Sequence, residues 1–302
     1  MPDPTPSLND IERLVREAGF PFELQVAAAL QTLGFAVHLS HQYFDEKRQR
    51  PAEVDVLATR ESRVETSHAG VVRVILELAV ECKDNSLPYV LFGFPQPAAA
   101  AKGMLDGDVY YSRVRSTQDK FPNFFAVLSL GDTRVPASKE IKASHHHFAG
   151  SHRFHQVTSI ERVRDNSGGF FLKLHASDRF REALHGLAGY VHYVNDALFK
   201  GRAVFERDGF PHDPTIWLTF LLLVHSGDHY RFTTEAGLVT SPHTPLLTSL
   251  NVEGLSTPYA VDFVRFEHLA AAVSTITSTF QLVSDHLVKY LSRSPRPVAG
   301  TT

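Results

Sequence analysis

Four side chains in this chain are of the types, and at the spacing, that hydrolytic chemistry uses. Glu81 and Lys83 form Glu81-Cys82-Lys83 at the end of the apolar run 71–80. Placing charges there carries a desolvation cost. Asp55 lies in Glu53-Val54-Asp55-Val56-Leu57-Ala58, and Glu23 lies in Phe22-Glu23-Leu24-Gln25-Val26-Ala27-Ala28. Carboxylates gathered beside a lysine can hold a divalent cation and a water. Each also has a plainer reading: Glu81 and Lys83 as a solvated strand end, Asp55 as a turn cap or an arginine's partner, and Glu23 as a carboxylate favoured by a helix dipole.

The elements that must position them follow from periodicity. Residues 22–33 have the pattern of an amphipathic helix ending at Gly34, the usual left-handed C-cap residue. Residues 35–44 and 52–59 are expected to be strands, and 71–82 a nearly continuous apolar strand covered on both faces. The order is helix, strand, strand, strand. Side chains alternate along a strand, so Glu81 and Lys83 share a face, with roughly 6.6–6.8 Å of rise between them. Asp55 can face them from an adjacent strand about 4.8 Å away. Glu53 and Glu77 share strand faces with Asp55 and Glu81 by parity, as outer carboxylates or as solvated or paired ones.

On Phe22-Glu23, Leu33-Gly34-Phe35, Glu53-Val54-Asp55-Val56-Leu57-Ala58 and Val80-Glu81-Cys82-Lys83, the chain resembles the PD-(D/E)XK nuclease superfamily, most closely its Mrr-like restriction endonuclease branch. The resemblance covers roughly residues 10–130. It implies an α/β fold: a restriction-endonuclease-like core, with a mixed β-sheet flanked by helices. It also implies a metal-dependent endonuclease that hydrolyses phosphodiester bonds in DNA, in restriction, phage defence or repair. Asp55, Glu81 and the Cys82 carbonyl would hold Mg²⁺ or Mn²⁺. Lys83 would orient or activate a water, and Glu23 would bind a second metal or a metal-bound water. A homodimer is expected for double-strand cleavage, and a defence-system partner protein is possible. The alternative is a catalytically silent nuclease-fold subunit that serves binding or structure. Related nucleases often carry a glutamine or lysine on the helix after Glu-x-Lys, a place Gln96 would fill.

Composition sets the outer bounds. The chain has 302 residues, 43% hydrophobic and 21% charged, as in an ordinary globular protein. Its single cysteine, Cys82, excludes a disulfide framework and fits a reducing cytoplasm. No basic-plus-apolar leader is recognisable, and the most apolar stretch, 216–224, is too short to span a bilayer as a helix. Neither export nor a membrane is expected. The net charge of −3 is not that of a dedicated DNA binder, so contact with nucleic acid would rest on a local groove. Candidates are Lys47, Arg48 and Arg50 on a hairpin tip before Asp55, then Arg113, Arg115 and Lys120.

Beyond the motif strand, the Pro-, Gly- and aromatic-rich stretch 86–97 leads to a short helix candidate at 98–102, and 124–130 reads as a strand. Residues 138–155, with His145-His146-His147, read as an exposed polar helix; no cysteine accompanies the histidines to suggest zinc. Two domains are expected: the nuclease-like part at 1–158, and an α+β part at 159–302 for recognition, dimerisation or partner contact. In the second part, 178–199 and 267–291 read as helices, and 215–225, 230–234, 246–252 and 259–266 as strands. Ser226-Gly227-Asp228 reads as a turn, and neighbouring His225 and His229 as strand residues rather than a catalytic cluster.

Overall fold

The computed structural model describes residues 7–10, 14, 20–45, 48–66, 70–84, 88–95, 111–115, 152–165, 169–175, 178–205, 215–252 and 255–293. Helix α1 (Phe20–Thr32) is followed by β1 (Ala36–Asp45), β2 (Arg50–Thr66), β3 (Gly70–Lys83) and β4 (Tyr89–Pro95). Then come β5 (Tyr111–Arg115), β6 (His152–Arg164), β7 (Phe170–His175) and helix α2 (Asp178–Phe205). Strands β8 (Thr215–His225), β9 (His229–Thr233), β10 (Gly237–Thr240), β11 (His243–Val252) and β12 (Leu255–Arg265) lead through a 3₁₀ turn, Phe266–His268, into α3 (Leu269–Arg293). The architecture is mixed α/β. Among the described residues, no helix is long and apolar enough to cross a membrane.

One sheet of 12 strands carries the whole arrangement, in the order β1-β2-β3-β8-β12-β11-β6-β4-β9-β10, with β5 on β8 and β7 on β6. Strands β1, β2 and β3 form an antiparallel meander. Strand β8 then joins β3 in parallel, from Arg73–Thr215 through Lys83–His225, and β12 joins β8 in parallel. The expected domain boundary at 158 falls inside β6, and the β3–β8 ladder ties the two halves of the chain into one sheet.

The apolar run of β3 has the physical cause expected of it, two covered faces. Val72, Val74, Leu76, Leu78, Val80 and Cys82 pack with Phe22, Val26, Ala27 and Leu30 of α1 and with Leu269, Ala272, Val273, Ile276 and Phe280 of α3. Ala79, on the other face, joins Leu57, Leu221 and Leu223 under Phe180, Ala183, Leu184, Leu187, Ala188 and Val191 of α2. Tyr89 and Leu91 of β4, Val157 of β6 and Phe263 of β12 belong to this second core. The helix at 22–33 closes as expected at Gly34, whose φ of 85° is left-handed.

Several expectations give way. The stretch 86–97 contains strand β4, which tolerates its glycine because the ladder to β6 shifts register between Phe92 and Gly93, and its proline because Pro95 ends the strand. The polar helix expected over 138–155 does not reach His152, where β6 begins. Helix α3 starts at Leu269 after the 3₁₀ turn. The helix candidate at 98–102, the strand at 124–130, Gln96, Lys120 and His145-His146-His147 lie outside the described residues.

Leu78 is fully buried in the first core, whereas Leu24 on α1 is 55% exposed. Leu78→Ala is expected to cost about 2–5 kcal/mol in urea unfolding, and Leu24→Ala about 0.5 kcal/mol or less.

Candidate active site

The site forms where β2 parts from its neighbours. The β2–β3 ladder begins at Val56–Val80, and the β1–β2 ladder skips the pair Ser40–Asp55, with Ser40 at a left-handed φ of 50°. Val56 points into the core under α1 and α3, while Val54, two residues earlier, joins the core under α2. The strand has therefore rotated at Asp55. The Asp55 carboxylate takes over as acceptor there: the Cys82 amide donates to its Oδ2 at 2.7 Å. This accounts for an acid inside a β-strand by local structure, and it holds that acid against the end of β3.

Glu81 and Lys83 occupy the last turns of the pleat on the α2 side. Lys83 Nζ donates to Glu81 Oε2 at 3.0 Å. Glu81 is only 6% exposed, while Asp55 and Lys83 are half-buried. Burial pushes the Glu81 carboxyl up to about 8; the charge of Asp55 and a hydrogen bond to it push the same way, against a smaller pull from Lys83. At neutral pH Glu81 thus holds a proton in its bond to Asp55. Burial works against the Lys83 ammonium, but the Glu81 and Asp55 carboxylates outweigh it and raise its pKa. Glu23 on α1 is raised by burial first, then by Asp55 and Glu53, with Lys83 opposing. Burial, reinforced by Asp55, Glu23 and Glu81, holds the Cys82 thiol well above its ordinary value, so it is not a nucleophile.

The structure thus brings Glu23, Asp55, Glu81, Cys82 and Lys83 into one electrostatic neighbourhood, with Asp55 and Glu81 in direct contact. Among the described residues, no three His, Cys, Asp or Glu side chains converge as a metal-holding group. A Mg²⁺ or Mn²⁺ ion does not need three: it takes one or two carboxylates and fills its shell with water and phosphate oxygens. The Asp55–Glu81 pair, in which a cation would take the place of the Glu81 proton, fits that requirement. Lys83 leads into Asp84, on the border of a cleft of about 370 Å³ lined also by Phe22, Gln25 and Ser226.

Helix α2 supplies the roof, which the sequence motifs did not reveal. A Cβ built on Gly186 would lie 2.9 Å from Glu81 Oε1, and one on Gly189 would lie 2.8 Å from the Tyr43 hydroxyl. Tyr43 donates that hydroxyl to the Gly186 carbonyl at 2.7 Å. Two glycines three apart inside a helix are costly in isolation, so Gly186-Leu187-Ala188-Gly189 was a legible sign of close approach. Glu77 is buried and accepts a bond from Thr219 at 2.8 Å, as a paired rather than a metal-binding acid.

His225, the register partner of Lys83, lies on the far side from Asp55. Its Nε2 is 2.8 Å from His229 Nδ1, and its ring packs on Tyr89 and Phe263. Burial depresses both imidazoles, to about 3 and about 2, so they form a neutral polar pillar of the core. Ser226–Asp228 is the expected turn; Ser226 Oγ donates to Asp84 Oδ1 at 2.6 Å. On the hairpin tip Arg48 and Arg50 are exposed, and Lys47 lies outside the described residues. The side chains of Arg113 and Arg115 do as well.

Between pH 4.5, the ordinary value for glutamate, and about 8, the folded chain keeps a Glu81 proton that the unfolded chain has released. Taken alone this lowers stability as pH rises through that window, while the depressed His225 and His229 act the other way up to their ordinary value of 6.5. Thermal melts between pH 6.5 and about 8 are therefore expected to show a falling Tm for the wild type and a flatter profile for Glu81→Gln. Equal slopes would assign the proton to another group. No protein-family model, curated protein or solved structure matches this chain.

Proposed function

We propose that the protein is a metal-dependent endonuclease that hydrolyses phosphodiester bonds in DNA, built on a restriction-endonuclease-like core. The observation that carries this reading is the contact between the Asp55 and Glu81 carboxyls at the ends of adjacent strands, with Lys83 Nζ 3.0 Å from Glu81. The order of the elements supports it: α1 and α3 cover one face of the β1–β2–β3 meander, α2 covers the other, and β8 returns parallel to β3.

Asp55, Glu81 and the Cys82 carbonyl would hold Mg²⁺ or Mn²⁺. Bound there, the ion supplies charge stabilisation for the phosphoryl transition state and lowers the pKa of a bound water. The chain's own residues do the rest. Glu81 would have to release its proton to solvent before it could serve as a ligand. Lys83, kept cationic by the two carboxylates, orients the attacking water and screens the phosphate. Glu23 reaches the same neighbourhood from α1 and would hold a second ion or an ordered water. The buried end of β3 under Gly186 limits water around Glu81.

A second reading, a catalytically silent nuclease-fold subunit, is favoured by one observation: Glu81 lies under α2, and its proton must leave before a cation can bind.

Supercoiled plasmid separates the two. With Mg²⁺ or Mn²⁺ the wild type is expected to nick and linearise it, and Glu81→Ala and Lys83→Ala to lower the rate by about 100-fold or more. Cutting that survives in both variants, or no cutting by the wild type, counts against the enzyme. Cation binding offers a readout independent of cleavage. Because Glu81 must ionise to become a ligand, Mg²⁺ affinity by calorimetry is expected to rise with pH up to about 8 and then level off. In Glu81→Gln that pH dependence should vanish.

A further inference from the structure

Helix α2 and the β1–β2 hairpin tip touch each other next to the carboxylate pair, and their contact gathers cations. Tyr43, near the end of β1, donates its hydroxyl to the Gly186 carbonyl at 2.7 Å. A Cβ on Gly189 would stand 3.2 Å from Asp45 Oδ2, so the tip sits directly on the helix. Asp45 is buried and directed inward: its Oδ1 accepts the Arg48 amide at 3.1 Å, and its Oδ2 is 3.7 Å from Arg48 Nε. Arg48 and Arg50 stay exposed on the tip, and Arg181 on α2.

Electrostatics tie these groups together. The half-buried His185, one turn after Arg181, is held below its ordinary pKa by burial, then by Arg48 and Arg181, with Asp45 opposing. Tyr43, raised chiefly by burial, is acted on by Asp45 and Glu81 from one side and by Arg48 and Arg50 from the other. Arg48 is paired with Asp45, Arg50 is Asp45's register partner across the hairpin, and Arg181 acts together with Arg48 on His185. Lone surface cations are ordinary. Three exposed arginines brought together by two elements beside a buried carboxyl pair, with the exposed Glu53 and Glu182 close by, form an arrangement that a polyanionic backbone can engage.

We infer that the β1–β2 tip and the first half of α2 form a platform for the phosphate backbone of the nucleic acid that the carboxylate site acts on, with Arg48, Arg50 and Arg181 as the phosphate contacts and His185 between them. This rests on the nuclease reading for the identity of the polyanion. It adds α2, some 130 residues downstream of the tip, as half of the binding surface. Arginine suits the role because its planar guanidinium meets two phosphate oxygens at once. The contacts are to backbone, so they position the strand without reading its sequence.

Fluorescence anisotropy of a labelled DNA duplex, titrated across a range of salt in the Glu81→Gln background without divalent cation, tests the platform. Arg48→Ala and Arg181→Ala are each expected to lower the slope of log K against log salt by about one, and together by about two. Arg48→Lys and Arg181→Lys should keep the slope. Arg63, exposed on β2 and 3.2 Å from Glu61, is the control, and its alanine variant should bind like the parent. Unchanged slopes in the double alanine variant overturn the platform, as does an equal loss in Arg63→Ala. A protein that binds with the expected slopes while the wild type leaves plasmid intact keeps the platform and fails the nuclease reading. A protein that cuts while its slopes ignore Arg48 and Arg181 does the reverse. If the double variant's only loss is of binding to an acidic protein, the polyanion was misassigned and the proposal fails.

Discussion

Everything in this molecule depends on covering both faces of β3. Its even-numbered side chains are shared between α1 and α3, and its odd-numbered ones face α2. A strand enclosed in this way has no place for a solvated charge, so each polar group on the α2 face has to find a partner inside the fold. Glu77 finds Thr219. Glu81 finds Lys83 on one side and Asp55 on the other, and keeps a proton as the least costly way to stay buried. The chemistry proposed for the site follows from that enclosure. In a wetter setting the same carboxyls would be ordinary surface acids with little to gain from a cation.

The departure of β2 from β3 at Asp55 is the second half of the design. Had the ladder continued in register, a backbone carbonyl would have met the Cys82 amide and the Asp55 side chain would have been free to turn outward. The break gives that amide to the carboxylate instead. Asp55 is therefore both a structural acceptor and a candidate ligand, and the two roles are compatible because a carboxylate has more lone pairs than one amide uses. Glu23 depends on a different constraint, the docking of α1 through Phe22 and Val26, which brings the first turn of the helix towards the strand ends.

Much of this was legible from residue order. The continuous apolar runs of β3 and β8 and the alternation of β2 mark strands, and Gly34 marks the end of α1. What could not be read depends on contacts between distant segments. Strand β4 hides behind Pro and Gly signals that usually mark loops, and its pairing with β6 and β9 is visible only once the sheet is assembled. Strand β7, Phe170–His175, is too short to carry a clear period. The roof over Glu81 comes from Gly186 and Gly189, whose meaning lies in what they approach, although their spacing inside a helix hinted at it. Division of the chain into halves also looked natural from the motif's position, but the ladder from β3 to β8 crosses that line.

That ladder has a consequence for how the chain is made. Glu77 and its partner Thr219 are separated by 142 positions. At typical synthesis rates of about 5–20 residues per second, the far strand leaves the ribosome roughly 7–28 s after the near one. During that interval β3, a largely apolar strand, has a finished meander on one edge and nothing on the other. The nascent chain is thus exposed to mispairing for longer than most hairpins take to form by many orders of magnitude, and its yield in a cell depends on what occupies that edge until β8 arrives.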